Sequence, residues 1–227
     1  MAIQWYPGHM TQARKKAEET LEFTDIVIEV LDARVLEVLT ELPRESFVLP
    51  AHHALAYADM ALPIAHGEAM MKPVIEGRLL QSLDIQPDDE VLEIGTGSGY
   101  LAACLARLGK HVVSVDRHAD FVDTARARLR NAGIGNVELM NADALREFDP
   151  GRSFDAIAVT GAVAEVPQRF RDWLKVGGRM FVVAGVEPAM RALLVRREGD
   201  GAFSEERLFE TDLDYLAGAA PRQQFNL

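Results

Sequence analysis

The chain has 227 residues, 48% of them hydrophobic and 26% charged, which suits one globular domain with a substantial core and a small N-terminal appendage. Its formal net charge of −11 argues against a protein that grips nucleic acid through phosphates, and Arg14, Lys15 and Lys16 make only a small basic patch. From Thr11 to Leu21 the sequence is charged and helix-prone, and the β-branched run Asp25 to Val30 reads as a strand. The apolar stretch Ile26 to Leu31 is broken by Glu29 and is too short for a signal peptide. No stretch reaches the length of a membrane span, so a cytoplasmic protein without a membrane partner is expected.

Val35 to Leu42 reads as an amphipathic helix closed by Pro43. Residues 43–66, with Pro43, Pro50 and Pro63, read as ordered loops or short helices. Lys72 to Leu83 is again helical, with Pro73 suited to the first turn. After the turn Gln86 to Asp89 the pattern becomes regular. Val91 to Ile94 is a short apolar strand, Gly95 to Gly99 a tight loop, and Tyr100 to Leu108 a helix stopped by Gly109. Cys104, the only cysteine, lies in that helix and reads as a buried small hydrophobe, and no intrachain disulfide can form.

Val112 to Val115 is a second strand ending at Asp116, followed by a helix from Ala119 to Ala132 ended by Gly133. Val137 to Met140 and Phe154 to Thr160 are the third and fourth strands, and Val166 to Leu174 a helix. Gly177 and Gly178 precede a fifth strand, Arg179 to Ala184. Ala192 to Arg197 and Ser204 to Phe209 are strands joined by the turn Gly199-Asp200-Gly201, so they add an antiparallel edge. Alternating strands and helices imply a parallel sheet covered on both faces.

The chemistry is concentrated in Glu93-Ile94-Gly95-Thr96-Gly97-Ser98-Gly99-Tyr100, between a strand and a helix. A dinucleotide fingerprint has the spacing G-x-G-x-x-G, which would put a glycine where Tyr100 stands. Here the glycines alternate, and Glu93 precedes them. A carboxylate there would repel a pyrophosphate but not the amino group of a methionine moiety. The loop therefore favours S-adenosylmethionine. Asp116 ends the next strand, where a carboxylate accepts hydrogen bonds from ribose hydroxyls, and Asp143 is placed to accept from an adenine amino group. Each acid could instead cap a helix or sit in a solvated loop. All three lie on the sheet edge where open α/β folds bind ligands. No His, Cys, Asp or Glu spacing points to a metal.

The segments Leu55-Ala56-Tyr57-Ala58-Asp59, Leu62 to Gly67, Val91 to Tyr100, Phe154 to Thr160 and Leu174 to Arg179 resemble, in order and spacing, the protein-L-isoaspartate O-methyltransferase family. The resemblance implies an α/β, Rossmann-like class I methyltransferase fold. That fold is a seven-stranded, mostly parallel sheet with an antiparallel last strand, here with an N-terminal helical extension. It also implies S-adenosyl-L-methionine as cofactor and a protein or peptide carboxylate as acceptor. The cofactor would be held by Glu93, Gly95, Thr96, Gly97, Ser98, Gly99, Asp116, Arg117, Asp143, Ala144 and Thr160. Asp59, His66, Gly67, Glu68, Met71 and Gly161 would face the acceptor.

One departure bears on activity. After His-Gly the family continues Gln-Thr-Ile-Ser-Gln-Pro, and its serine lies beside the substrate. Here Glu68-Ala69-Met70-Met71-Lys72-Pro73 follows, so Met71 stands at the serine and Ala69 at the threonine. His66 and Met71 are the catalytic candidates; His66 could orient an acceptor, act as a base or cap a turn. The readings that stay open are a carboxyl methyltransferase, a methyltransferase on a small molecule, and a cofactor-binding module without turnover. Residues 1–34, with Ile3-Gln4-Trp5-Tyr6-Pro7-Gly8-His9-Met10 and Leu31-Asp32-Ala33-Arg34, resemble the opening of circularly permuted ribosome-assembly GTPases. No G-x-x-x-x-G-K-[ST] loop follows, so this segment suggests ribosome association rather than nucleotide hydrolysis. The chain thus divides into an arm (1–34), a helical and loop extension (35–84) and a methyltransferase domain (85–227).

Overall fold

A computed structural model describes residues 32–221. The arm's expected helix and strand, and most of its resemblance to GTPases, fall outside the described residues. Asp32 opens the first helix: its carboxylate accepts from the Arg34 amide at 2.8 Å, so α1 spans Ala33–Glu41. Short 3-10 turns at Arg44–Phe47 and Pro50–Leu55 occupy the proline-rich stretch. A small ribbon follows, β1 (Leu62–Pro63) against β2 (Ala69–Met70), with His66 and Gly67 left-handed at its tip. Helix α2 spans Pro73–Leu83, begins with its proline in the first turn and ends at left-handed Asp84.

From β3 (Glu90–Ile94) the chain alternates. Helix α3 (Tyr100–Leu108) leads to β4 (His111–Asp116), α4 (Ala119–Asn131), β5 (Val137–Asn141) and β6 (Phe154–Val159). Then come α5 (Gln168–Asp172), β7 (Leu174–Ala184), β8 (Arg191–Gly199) and β9 (Ala202–Glu210). The large sheet has the order β5-β4-β3-β6-β7-β8-β9. Its first five strands in space are parallel; β8 opposes β7, and β9 opposes β8. The reversed strand is therefore β8, and β9 returns to the common direction.

The inner strands are buried on both faces, as a helix-covered parallel sheet requires. One apolar cluster packs α1, α2 and α3 on one face through Val35, Val38, Leu79, Leu80, Leu105 and Leu108. The other joins Leu92, Val113 and Ile157 to Phe148, Phe170 and Trp173.

Two expected boundaries differ. The helix expected over Val166 to Leu174 is only Gln168–Asp172, because Pro167 precedes it in extended conformation and Leu174 already pairs with Phe154. Gly177 and Gly178 lie within β7, not ahead of it. The strand pairs Leu174 with Phe154, bulges outward, and resumes with Arg179 opposite Ala156. A β-carbon at position 178 would stand 2.8 Å from the Lys175 carbonyl oxygen and 3.0 Å from that of Phe154, which explains the glycine.

Candidate functional site

Strand order reverses at β3, with β4 on one side and β6 on the other. The carboxyl ends of β3, β4, β5 and β6 there surround an open cleft of about 730 Å³, its mouth included. Gly95, Gly97, Asp116, Arg117, Asp143, Ala144, Thr160, Gly161 and Glu68 line it, so much of the expected set converges.

Asp116 is nearly buried at the end of β4. Its Oδ2 accepts from the Gly97 amide and its Oδ1 from the His118 amide, both at 2.9 Å. The carboxylate thus fixes the glycine loop and still carries lone pairs on the cleft wall. The other two glycine amides are also committed, Gly95 to the Val115 carbonyl and Gly99 to that of Thr96, each at 2.9 Å. A loop with these amides spent inward is no cradle for a diphosphate. Gly99 also serves packing. A β-carbon there would meet that of Ala125 at 2.9 Å, so the glycine lets α3 approach α4.

Asp143 accepts from the Leu145 amide at 2.9 Å and sits beside Ala142 and Ala144 on the cleft wall. The side chain of Arg117 reaches the Ala217 carbonyl at 3.5 Å.

Glu93 stands elsewhere. It is fully buried and lines a smaller space of about 340 Å³, its opening included, with Thr96, Ser98, Met71 and Glu76; Gly95, Gly97 and Thr160 border both this space and the main cleft. Ser114 donates to its Oε2, Ser114 and Thr96 hydroxyls are 2.6 Å apart, and Oε1 has no hydrogen-bond partner. Burial pushes its pKa up to about 8. Glu93 thus lies behind the glycine loop, while Asp116, Asp143 and Glu68 are acids on the main cleft. Thr96 and Ser98 share the inner chamber and do not line the main cleft.

On the acceptor side the β1–β2 ribbon presents Ile64, Glu68 and Ala69. Met71 is buried and lines the inner chamber. Its carbonyl accepts from Arg44 Nη2 at 2.7 Å, while Arg44, itself buried, pairs with Glu76 at 2.9 Å and donates to the Ala56 carbonyl. Asp59 and Gly67 line neither chamber, and His66 turns outward to Asp120 and His118. The thiol of Cys104 is buried and pushed upward in pKa, as a packing residue should be.

Two features escaped the sequence reading. Residues 213–217 follow β9 and wall the cleft through Leu213, Asp214, Tyr215 and Leu216. The segment runs beside residues 161–163, with the Leu216 amide 2.9 Å from the Ala162 carbonyl. No motif marks it. The other is the cluster His66, His118 and Asp120: His118 and Asp120 are neighbours in sequence, but His66 comes from the distant ribbon, so no spacing pattern joins the three.

The reversed strand order, the alternating glycines and the acids at strand ends define a Rossmann-like methyltransferase fold. Within that class the chain belongs to the protein-L-isoaspartate(D-aspartate) O-methyltransferase family, which it matches over residues 20–215. The match begins inside the arm delimited from sequence. A protein-L-isoaspartate O-methyltransferase from Methanoculleus marisnigri is 40% identical over 187 residues, covering 82% of this chain and 85% of its own. One from Rhodopseudomonas palustris is 36% identical over 196 residues, covering 86% and 90%. A crystal structure described as the Plasmodium falciparum member, in complex with S-adenosyl-L-homocysteine, superposes with a TM-score of 0.73 at 18% identity. It covers 93% of this chain and 99% of that one and supports the fold. Among the described residues, no helix is long and apolar enough to cross a membrane.

Proposed function

We propose that the chain is an S-adenosylmethionine-dependent O-methyltransferase that esterifies isoaspartyl carboxylates in proteins. The observation that carries this reading is the inward commitment of the three glycine amides beside an Asp116 carboxylate on the cleft wall. Such a site suits ribose hydroxyls and a cationic ligand, not phosphates. Asp116 would hold the ribose; Asp143 and Ala144, with Leu145, would flank the adenine. Glycines 95 and 97 would give the methionine part room.

When bound, the cofactor supplies a methyl group on a positively charged sulfur, open to in-line displacement. The acceptor carboxylate is already ionised at neutral pH, so the protein need not provide a base. Its work is alignment and exclusion of water. The ribbon residues Ile64, Glu68 and Ala69 on one side and Leu213, Tyr215 and Leu216 on the other confine the acceptor between them. His66, turned toward Asp120, is not needed for proton transfer in this scheme.

A second reading is favoured by Met71 and Ala69, which replace the two hydroxyls of the family segment: the acceptor could be a different carboxylate or a small molecule. Labelled methyl transfer decides between them. Label in an isoaspartyl peptide, with none in its aspartyl counterpart, supports repair. Label only in a cell extract supports another acceptor. Retained S-adenosylhomocysteine binding without transfer identifies a cofactor-binding module. The N-terminal segment is a separate proposal, ribosome association, which equal co-sedimentation of the full chain and a chain lacking residues 1–34 would reject.

A further inference from the structure

The cofactor cleft leaves one chemically distinctive cluster unused. His66 at the tip of the β1–β2 ribbon, His118 just ahead of α4 and Asp120 in its first turn meet at the rim, one ligand atom from each lying within 4.8 Å of the others. We propose that they form a binding site for a borderline-soft divalent cation, with zinc as the fitting occupant.

The two imidazoles stack with centroids 4.0 Å apart and planes within 6°, so their in-plane lone pairs run parallel and one ring must turn before both ligate one ion. Phe121 abuts both rings edge-on at 5.3 Å, so a single buried aromatic side chain orients the pair. His66 reaches this position only through a left-handed backbone, φ 61°, which a non-glycine residue adopts at a cost. Its Nε2 lies 2.8 and 3.0 Å from the two oxygens of Asp120.

Two imidazoles and one carboxylate are the donor set of an open zinc site, with solvent completing the tetrahedron; magnesium and calcium prefer all-oxygen shells. Ligand atoms of tetrahedral zinc stand about 3.3 Å apart, so binding needs the donors to close in. The side chains of His66 and Asp120 are 40% and 58% exposed and have the freedom to do so. Because His118 also lines the cofactor cleft, the cation would sit at the boundary between solvent and the nucleoside site. The inference does not depend on which acceptor is methylated.

The test is calorimetric titration of Zn²⁺ into chelator-treated full-length protein, with Co²⁺ absorption reporting the coordination geometry. One saturable site and a tetrahedral cobalt spectrum are expected. His118→Phe keeps an aromatic ring against Phe121 but removes a ligand, and Asp120→Asn keeps the shape but removes the charge. Each should weaken zinc by about tenfold or more and abolish the tetrahedral band. Absence of a saturable site, or folded variants that bind as the parent does, would overturn the proposal. The other histidines are unchanged in both variants, so binding through them would appear as that second result.

Discussion

The Thr160 hydroxyl donates to the Gly95 carbonyl oxygen at 2.7 Å, and its oxygen lies 2.1 Å from where a β-carbon on Gly95 would stand. The β6 end and the glycine loop are thus locked at a separation only glycine permits. Gly95 also has φ +99°, a conformation L side chains avoid. Gly95→Ala should lower stability by about 2–3 kcal/mol and weaken S-adenosylhomocysteine at least about tenfold. Denaturant melts and calorimetry check both.

Asp116→Asn keeps the size of the side chain but replaces one acceptor oxygen with a donor group. Either the Gly97 or the His118 amide then loses its partner. Nucleoside affinity should fall by about 2 kcal/mol, ~30-fold, since a hydrogen bond to a charged group is lost. Calorimetry with S-adenosylhomocysteine measures it; unchanged affinity would remove Asp116 from the site.

Glu93 makes stability depend on pH. Burial raises its pKa from 4.5 to about 8, so between those values the folded chain holds a proton that the unfolded chain has released. Stability from this group is present in full below about pH 4.5 and is lost as pH rises through about 8. Glu93→Gln carries no proton in either state, so its melting temperature should fall less than the parent's between pH 5 and 8 (window set by those values). Parallel slopes would show that Glu93 is ionised in the native chain.

Arg44 and Glu76 are a buried pair, and removing one partner strands the other charge. Arg44→Met should cost about 3–5 kcal/mol in urea unfolding. Adding Glu76→Leu should recover about half, because the stranded carboxylate goes with it. Additive losses would mean that the Arg44 bonds to the Ala56 and Met71 carbonyls dominate.

Met71→Ser restores the hydroxyl that the family places beside its substrate. The buried thioether is lost, at about 2–3 kcal/mol of stability. In exchange, kcat/KM for an isoaspartyl peptide should rise by about tenfold, read mainly in KM. An unchanged constant would show that the inner chamber, not one hydroxyl, sets acceptor choice.

The sheet was legible because each β-α unit carries its own punctuation. Gly99 opens α3, Pro73 opens α2, and Gly133, in a left-handed turn, follows α4. Asp116, Asp143 and Thr160 line one cleft because strand ends on one edge converge whatever the rest of the chain does. The full burial of Glu93 was not legible, for a reason periodicity cannot resolve. Strand alternation fixes which face a side chain takes, not whether the loop beyond it folds over that face. The wall at 213–217 was invisible because its position comes from main-chain pairing with residues 161–163, which no side-chain pattern encodes. The glycines of β7 misled because a bulge inside a strand and a turn before one use the same residue.

Chain order gives that wall a further meaning. Every strand of the sheet precedes Leu213 in sequence, yet one wall of the cleft is missing until Leu216 pairs with Ala162. During synthesis the scaffold can therefore assemble before this wall of the cleft is in place. A product cut short at Glu210 would have a complete sheet with an unfinished binding site, so an intact fold alone is no assay for a working molecule.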